Sequence, residues 1–278
     1  NLKQLSLGLL TYMSARGALP PSFVDNVKTG GSSTAAESNV SGFAWSGLVL
    51  PFTEQAPLWD RLQAATNGGT MNWQAAGSAA TSIASLPLSV FECNSNARSG
   101  TPNNNRGGFG MSNYGPNCGT YATIISEEDP STGVFFVSDK NINVKPAGIT
   151  DGLSKTLMLG ERSSTPDAGG GGCGGQPCNN SGGIWIGPRL VTVGPQGWST
   201  GMNSHDVETY GGGPYGIYMI NRSSTTYGAD WSNSSPHPAG GINASMCDGS
   251  VRWISENISA TTYARLRTKA EGVNAGDF

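Results

Sequence analysis

The stretch His237-Pro-Ala-Gly-Gly-Ile-Asn-Ala-Ser-Met-Cys-Asp-Gly-Ser-Val-Arg-Trp-Ile-Ser-Glu-Asn-Ile258 decides how the chain is read. Asp248-Gly249 is a strong two-residue hairpin signal, because both residue types tolerate the positive φ that such a turn needs. Pairing about it sets Cys247 opposite Ser250, Met246 opposite Val251, Ser245 opposite Arg252 and Ala244 opposite Trp253. Side chains alternate along a strand. Ile242, Ala244, Met246, Val251 and Trp253 then share an apolar face, and Asn243, Ser245, Cys247, Ser250 and Arg252 a polar one. That is the pattern of a half-buried antiparallel hairpin. His237 stands before the first strand. Extended chain covers about 3.3 Å per residue, so the strand holds His237 roughly 20 Å from Asp248. A joint His–Asp site is not expected; His237 is expected to order its own loop.

Working outward, 41 glycines and 16 prolines make up about a fifth of 278 residues, well above ordinary usage. Charged residues are 13% and the net charge is -3, with no basic patch to suggest nucleic acid. The opening segment NLKQLSLGLLTYMSARGALPPS places Leu2, Leu5, Leu9 and Tyr12 at helical spacing, with Leu7, Leu10 and Met13 widening the stripe. Gly17 and then Pro20-Pro21 stop it. No cap precedes Leu2, so residues 1–17 read as the C-terminal part of a longer helix.

Residues 43–50 and the LPLSVFEC segment ending at Cys93 read as strands, and Pro57–Ala65 as a short helix. MNWQAAGSAATSIASLP is a weaker helical stretch. Short strands follow at 122–126, 133–138 and 155–161, then in GGIWIG, RLVTV and GIYMI. A last helix begins near Ser259. Runs of helices followed by runs of strands indicate α+β rather than alternating α/β. The expectation is one domain over 1–278, with 18–278 a β-rich head carrying large glycine-rich loop insertions.

Five cysteines are present. Cys173 and Cys178 lie in a glycine loop at a spacing that suits a small disulfide, free thiols or half a zinc site. Cys93 and Cys118 are candidates for a second bridge, which leaves Cys247 unpaired.

The chain resembles a planctomycete family of unknown function with a prepilin-type N-terminus and a C-terminal signature of His, nine residues, then Asp-Gly. NLKQLSLGLLTY with LPPS, AWSGLVLPFTEQAPLWDRL, VFECNSN, GITDGLSKTLMLGERS, HPAGGINASMCDGSVRWIS and the terminal GDF carry the resemblance, in order. Two departures stand out. Ten residues, not nine, separate His237 from Asp248, and Asn94 replaces the proline after Cys93. The resemblance implies a type IV pilin- or pseudopilin-like fold, with a long N-terminal helix packed on an antiparallel sheet. It also implies a leader and an apolar anchor helix upstream of Asn1, and self-assembly with pilin-like subunits through that helix. His237, Asp248 and Gly249 become its structural signature.

Rival chemistry is limited. Gly197-Trp198-Ser199-Thr200-Gly201 matches the G-x-S-x-G elbow, with Asp206 or Asp230 and then His237 following in serine-hydrolase order, but no helical stripe follows the serine. Glu127, Glu128 and Asp129 form a solvated turn or a calcium site. Glu161 and Arg162 suggest a structural ion pair. No other cofactor motif is present. The leading expectation is therefore a non-catalytic, extracytoplasmic structural or interaction protein at the cell surface. A surface glycan- or ligand-binding module is the alternative, and a serine esterase at Ser199 the third.

Overall fold

A computed structural model describes residues 1–25, 40–120, 133–138, 143–164, 182–191, 201–202, 207, 209, 212–213, 216–217, 219–221, 231–272 and 276. The fold is α+β with antiparallel sheets, as the order of sequence patterns implies. The helices are α1 (Leu2–Arg16), α2 (Trp45–Leu48), α3 (Ala56–Ala65), α4 (Ser78–Ala84) and α5 (Ala260–Arg267). The strands are β1 (Met111–Ser112), β2 (Tyr114–Pro116), β3 (Leu157–Glu161), β4 (Gly183–Ile184), β5 (Leu190–Val191), β6 (Gly201–Met202), β7 (Gly212–Gly213), β8 (Gly216–Ile217), β9 (Gly241–Met246) and β10 (Val251–Ser255). The central sheet has four strands in the order β10-β9-β3-β2, and β1–β4, β5–β6 and β7–β8 form two-stranded ribbons.

Helix α1 ends where its sequence says it must. Gly17 adopts the left-handed conformation (φ 79°) and its N–H caps the Met13 carbonyl. At α5, the Ser259 hydroxyl accepts from the Thr262 N–H, an N-cap bond. Two expected strands are absent. Residues 43–50 hold α2 and the start of a 3-10 turn at Leu50–Phe52, and Ser89–Phe91 is also a 3-10 turn. Residues 43–50 are buried on all sides, so period carries no information there, and the second segment buries only Val90, Phe91 and Glu92 about its turn. Of the expected strand at 133–138, only Ser138 forms a bridge, to Val24. The expected strand at 122–126 lies outside the described residues.

The closing hairpin forms, but one residue out of the expected register. Val251 pairs with Ser245, Arg252 with Ala244, Trp253 with Asn243 and Ile254 with Ile242. The turn is a three-residue loop, Cys247-Asp248-Gly249. The Gly249 N–H donates to the Met246 carbonyl (2.9 Å), the Met246 N–H donates to the Ser250 carbonyl (2.8 Å), and Gly249 takes φ 81°. This is the type I turn followed by a left-handed glycine that three-residue hairpins favour. A slip of one residue turns every side chain of β10 over. Ile254 therefore enters the core, while Val251 and Trp253 are 38% and 40% exposed.

The central sheet is covered on both faces. Ile242, Ala244, Met246 and Ile254 pack against Tyr263 and Leu266 of α5. The opposite face of β9, expected to meet water, receives α1 instead. Ser6 donates to Ser245 (2.6 Å) with both residues fully buried, and Lys3 Nζ reaches the Gly249 carbonyl (2.7 Å). Leu2, Leu5, Leu9 and Tyr12 are buried in the main core, each leucine worth roughly 1.5–3 kcal/mol of removed apolar surface. Leu7, expected to widen that stripe, points outward and is 62% exposed.

Gly249 serves both turn and docking. A Cβ there would lie 2.6 Å from Leu10 Cδ1, and the positive φ adds strain. Gly249→Ala is expected to destabilise by roughly 1–3 kcal/mol. A denaturant titration checks this: an unchanged midpoint would contradict the docked turn.

Candidate functional site

Three chain segments distant in sequence meet at one end of the central sheet. Each delivers one side chain able to ligate a metal: Cys93, Glu161 and His237. Their ligand atoms all lie within 4.8 Å of one another.

Cys93 follows the 3-10 turn at Ser89–Phe91. Its N–H donates to Asn113 Oδ1 (2.9 Å), and Asn113 Nδ2 donates to the Arg162 carbonyl (3.1 Å). One asparagine side chain thus ties the cysteine to the end of β3. The Cys93 carbonyl accepts from the Asn96 N–H (2.9 Å), which turns the chain away. Buried Glu92 holds that turn from the other side, accepting from the Ser99 hydroxyl (2.9 Å) and the Gly100 N–H. The start of α1 contributes as well, since Asn1 Nδ2 donates to the Ser89 and Glu92 carbonyls.

Glu161 is the last residue of β3. Pairing with Tyr114 of β2 fixes its backbone. Its carbonyl accepts from the Ser234 N–H (2.9 Å) and Asn233 Nδ2 (3.1 Å). Its carboxylate is 5% exposed and accepts from the Asn243 N–H at Oε2 (2.7 Å) and from Asn243 Nδ2 at Oε1 (3.1 Å). His237 Nε2 lies 3.1 Å from both Oε1 and Oε2. Cys93 Sγ lies 3.8 Å from Oε1. Glu161 is therefore partnered by His237, whereas the sequence suggested Arg162.

His237 orders its own loop through its backbone. Its carbonyl accepts from the Gly240 N–H (3.1 Å) and its N–H donates to Ser235 Oγ (3.2 Å). Its ring, however, leaves that loop to reach Glu161, and Trp253 packs beside it at 5.8 Å between centroids. The slipped register puts Trp253 there. Asp248, at the far end of β9, accepts from the Ser250 N–H (2.8 Å) and hydroxyl (2.6 Å). The His237 ring and Asp248 thus contact different groups.

Electrostatically the site is a carboxylate held by donors and flanked by a thiol. Burial pushes the Cys93 thiol above its ordinary range; the Ser95 N–H works against this and the Glu161 charge adds to it. A neutral thiol beside a carboxylate is not an activated nucleophile. A crevice beside the cluster, bounded by Cys93, Asn113, Glu161, Arg162, Ser234 and Pro236, is too narrow to hold a water molecule, and His237 does not line it.

The expected disulfide between Cys93 and Cys118 is not formed. None of Cys93, Cys118 and Cys247 is in a disulfide. Cys93 turns toward Glu161, while Cys118 is buried beside the Pro116 carbonyl (3.7 Å). Cys247 is buried at the hairpin tip, which pushes its thiol far up. Cys173 and Cys178 lie outside the described residues. So do Glu127, Glu128 and Asp129, the calcium candidates, and Ser199, Asp206 and Asp230, the other candidates for the esterase triad.

Cys93 and Glu161 were missed as site residues on sequence grounds. The available signal was that VFECNSN, LMLGERS and HPAGG each carry a side chain able to ligate; only the tertiary fold joins them.

No curated protein and no solved structure matches this chain. Similarity extends instead to a protein family: its profile, described as protein of unknown function (DUF1559), matches residues 1–261, and the chain belongs to that family.

Proposed function

We propose that the protein is a non-catalytic, extracytoplasmic structural or interaction protein of pilin or pseudopilin type, whose head is carried on the helix to which α1 belongs. The observation that supports this reading is the way α1 is held. One side is bonded to β9 and the hairpin turn through Ser6 and Lys3, and its leucine stripe is buried in the main core. The other side, with Gln4, Leu7 and Thr11, faces outward. A helix clamped to its own head by one face presents the other to neighbouring copies. Among the described residues no helix is long and apolar enough to cross a membrane. On this reading the apolar anchor lies upstream of Asn1.

The test is crosslinking of the full precursor in intact cells, with Leu7→Cys and a bifunctional thiol reagent. A ladder of dimers and larger species, absent from the parent protein, is the expected result. Monomer alone, from cells that contain the folded protein, would sink the reading.

A second reading, a surface module for glycans or other ligands, is favoured by one feature. A cavity of about 230 Å³ is lined by Phe43, Leu48, Trp59 and Gln63, with the Phe43 and Trp59 rings 5.5 Å apart. Aromatic faces beside an amide suit sugar rings. Saturable glycan binding that is lost in Trp59→Ala would favour this reading over assembly.

A further inference from the structure

We propose that Cys93, Glu161, His237 and Asn243 form a binding site for a borderline-soft transition metal ion, zinc in the first instance.

Three observations carry this inference. The first is spacing. A tetrahedral zinc ion with bonds of about 2.0–2.3 Å holds its ligand atoms roughly 3.3–3.5 Å apart. Here the imidazole and carboxylate are 3.1 Å apart and the thiol and carboxylate 3.8 Å apart. The thiol and the imidazole lie within 4.8 Å of each other, so an ion would draw the thiol inward while the imidazole and carboxylate part slightly.

The second is polarity around His237 Nε2. Both carboxylate oxygens stand 3.1 Å from it and the Asn243 amide nitrogen stands 3.3 Å away. If Nε2 carries a proton, it donates to the carboxylate but faces the amide N–H2. If it carries a lone pair, it accepts from the amide but faces two acceptor oxygens. With the proton on Nε2 the ring donates to the carboxylate and the Asn243 amide donates to Oε1, so three polar side chains already converge on one point. A cation in place of that proton would be met by the imidazole and carboxylate lone pairs together. Rotating the Asn243 side chain about Cβ–Cγ puts Oδ1 where Nδ2 lies, which supplies a fourth ligand. The Asn243 backbone N–H keeps its 2.7 Å bond to Glu161 Oε2 and holds the carboxylate in place.

The third is the ligand set. Thiolate with imidazole selects zinc and its neighbours over magnesium or calcium, which prefer oxygen alone. On binding, the metal–sulfur bond forms as the Cys93 S–H bond breaks, and the proton leaves to solvent.

The test uses the metal-free protein titrated with cobalt(II), whose bond to a thiolate gives an intense near-ultraviolet absorption, and then with zinc to displace it. One cobalt per chain with the thiolate band is expected. Cys93→Ser should remove the band and leave the thermal unfolding midpoint within a few degrees, because Cys93 lies at the edge of the core. His237→Ala should weaken zinc binding by at least about tenfold. The double variant Cys173→Ser, Cys178→Ser is the control for the glycine loop and should keep the band. No band in the parent protein, or a band that survives Cys93→Ser, overturns the proposal.

Discussion

Arg267→Met is expected to lower the melting temperature by about 10 °C. Arg267 is fully buried on α5 and its guanidinium is used in every direction. Nε donates to the Gly119 carbonyl (3.0 Å) and Nη2 to the Thr209 carbonyl (2.6 Å). Nη1 donates to Asn233 Oδ1 and to the Tyr263 hydroxyl (3.0 Å). Tyr263 OH also donates to Asn233 Oδ1 (2.8 Å), so the three side chains close a ring of bonds. The same Asn233 donates to the Glu161 carbonyl, which links the network to the base of the Cys93–Glu161–His237 cluster. Methionine fills the space but removes the bonds made by a charged donor. The Gly119 carbonyl loses the donor described, while the Thr209 carbonyl keeps the Cys118 N–H and Asn233 Oδ1 keeps the Tyr263 hydroxyl. Hydrogen bonds to a charged group contribute about 1.5–3 kcal/mol each, and a total of about 3–5 kcal/mol is expected once the relieved desolvation of the guanidinium is set against them. At roughly 2–4 °C per kcal/mol for a chain of this size, the shift is on the order of 10 °C. Arg267→Lys should recover only part of it, because an ammonium cannot reproduce the planar fork. Thermal unfolding followed by circular dichroism measures both; equal stability of Arg267→Met and the parent would refute the network's role.

Trp185→Ala is expected to cost about 3–5 kcal/mol, the usual range for removing a buried indole. Trp185 is fully buried and follows β4. Its ring stacks on Phe91 (6.2 Å, 8°), and Phe91 meets Trp45 edge-on (6.0 Å, 88°). This aromatic run joins the segment before Cys93 to α2. Trp185 Nε1 donates to the Leu86 carbonyl (2.9 Å). Trp185→Phe should therefore cost less than Trp185→Ala but still leave that carbonyl without its donor. Gly110 supplies an independent check. A Cβ there would lie 2.2 Å from Trp185 Nε1 and 2.3 Å from the Leu86 carbonyl oxygen, so Gly110→Ala must displace the same bond. If Gly110→Ala is as stable as the parent, the indole is not held as described.

The candidate site was barely legible. His237 was expected to order its own loop, Cys93 to end a strand and pair with Cys118, and Glu161 to pair with Arg162. Nothing in either segment names the other. The expected disulfide failed for the same reason: spacing along the chain says nothing of which way Cys93 faces once Asn113 has bonded its backbone.

What the sequence by itself determined are the features whose causes lie within a few residues. The α1 terminus follows from Gly17, which alone tolerates the left-handed cap without strain, and from the prolines beyond it. The start of α5 follows from Ser259, and the closing hairpin from Asp248-Gly249. Only the tertiary structure decided the hairpin's register. Cys-Asp-Gly is compatible with a two-residue turn or a three-residue loop with glycine left-handed. The choice fell to the longer loop, in which the Cys247 N–H bonds the Thr156 carbonyl (2.9 Å), the Asp248 N–H bonds the Leu153 carbonyl (3.0 Å) and Ile254 meets α5. Those partners lie nearly a hundred residues away or on a later helix. Local propensity cannot weigh them, and they turned Trp253 out of the core and onto His237.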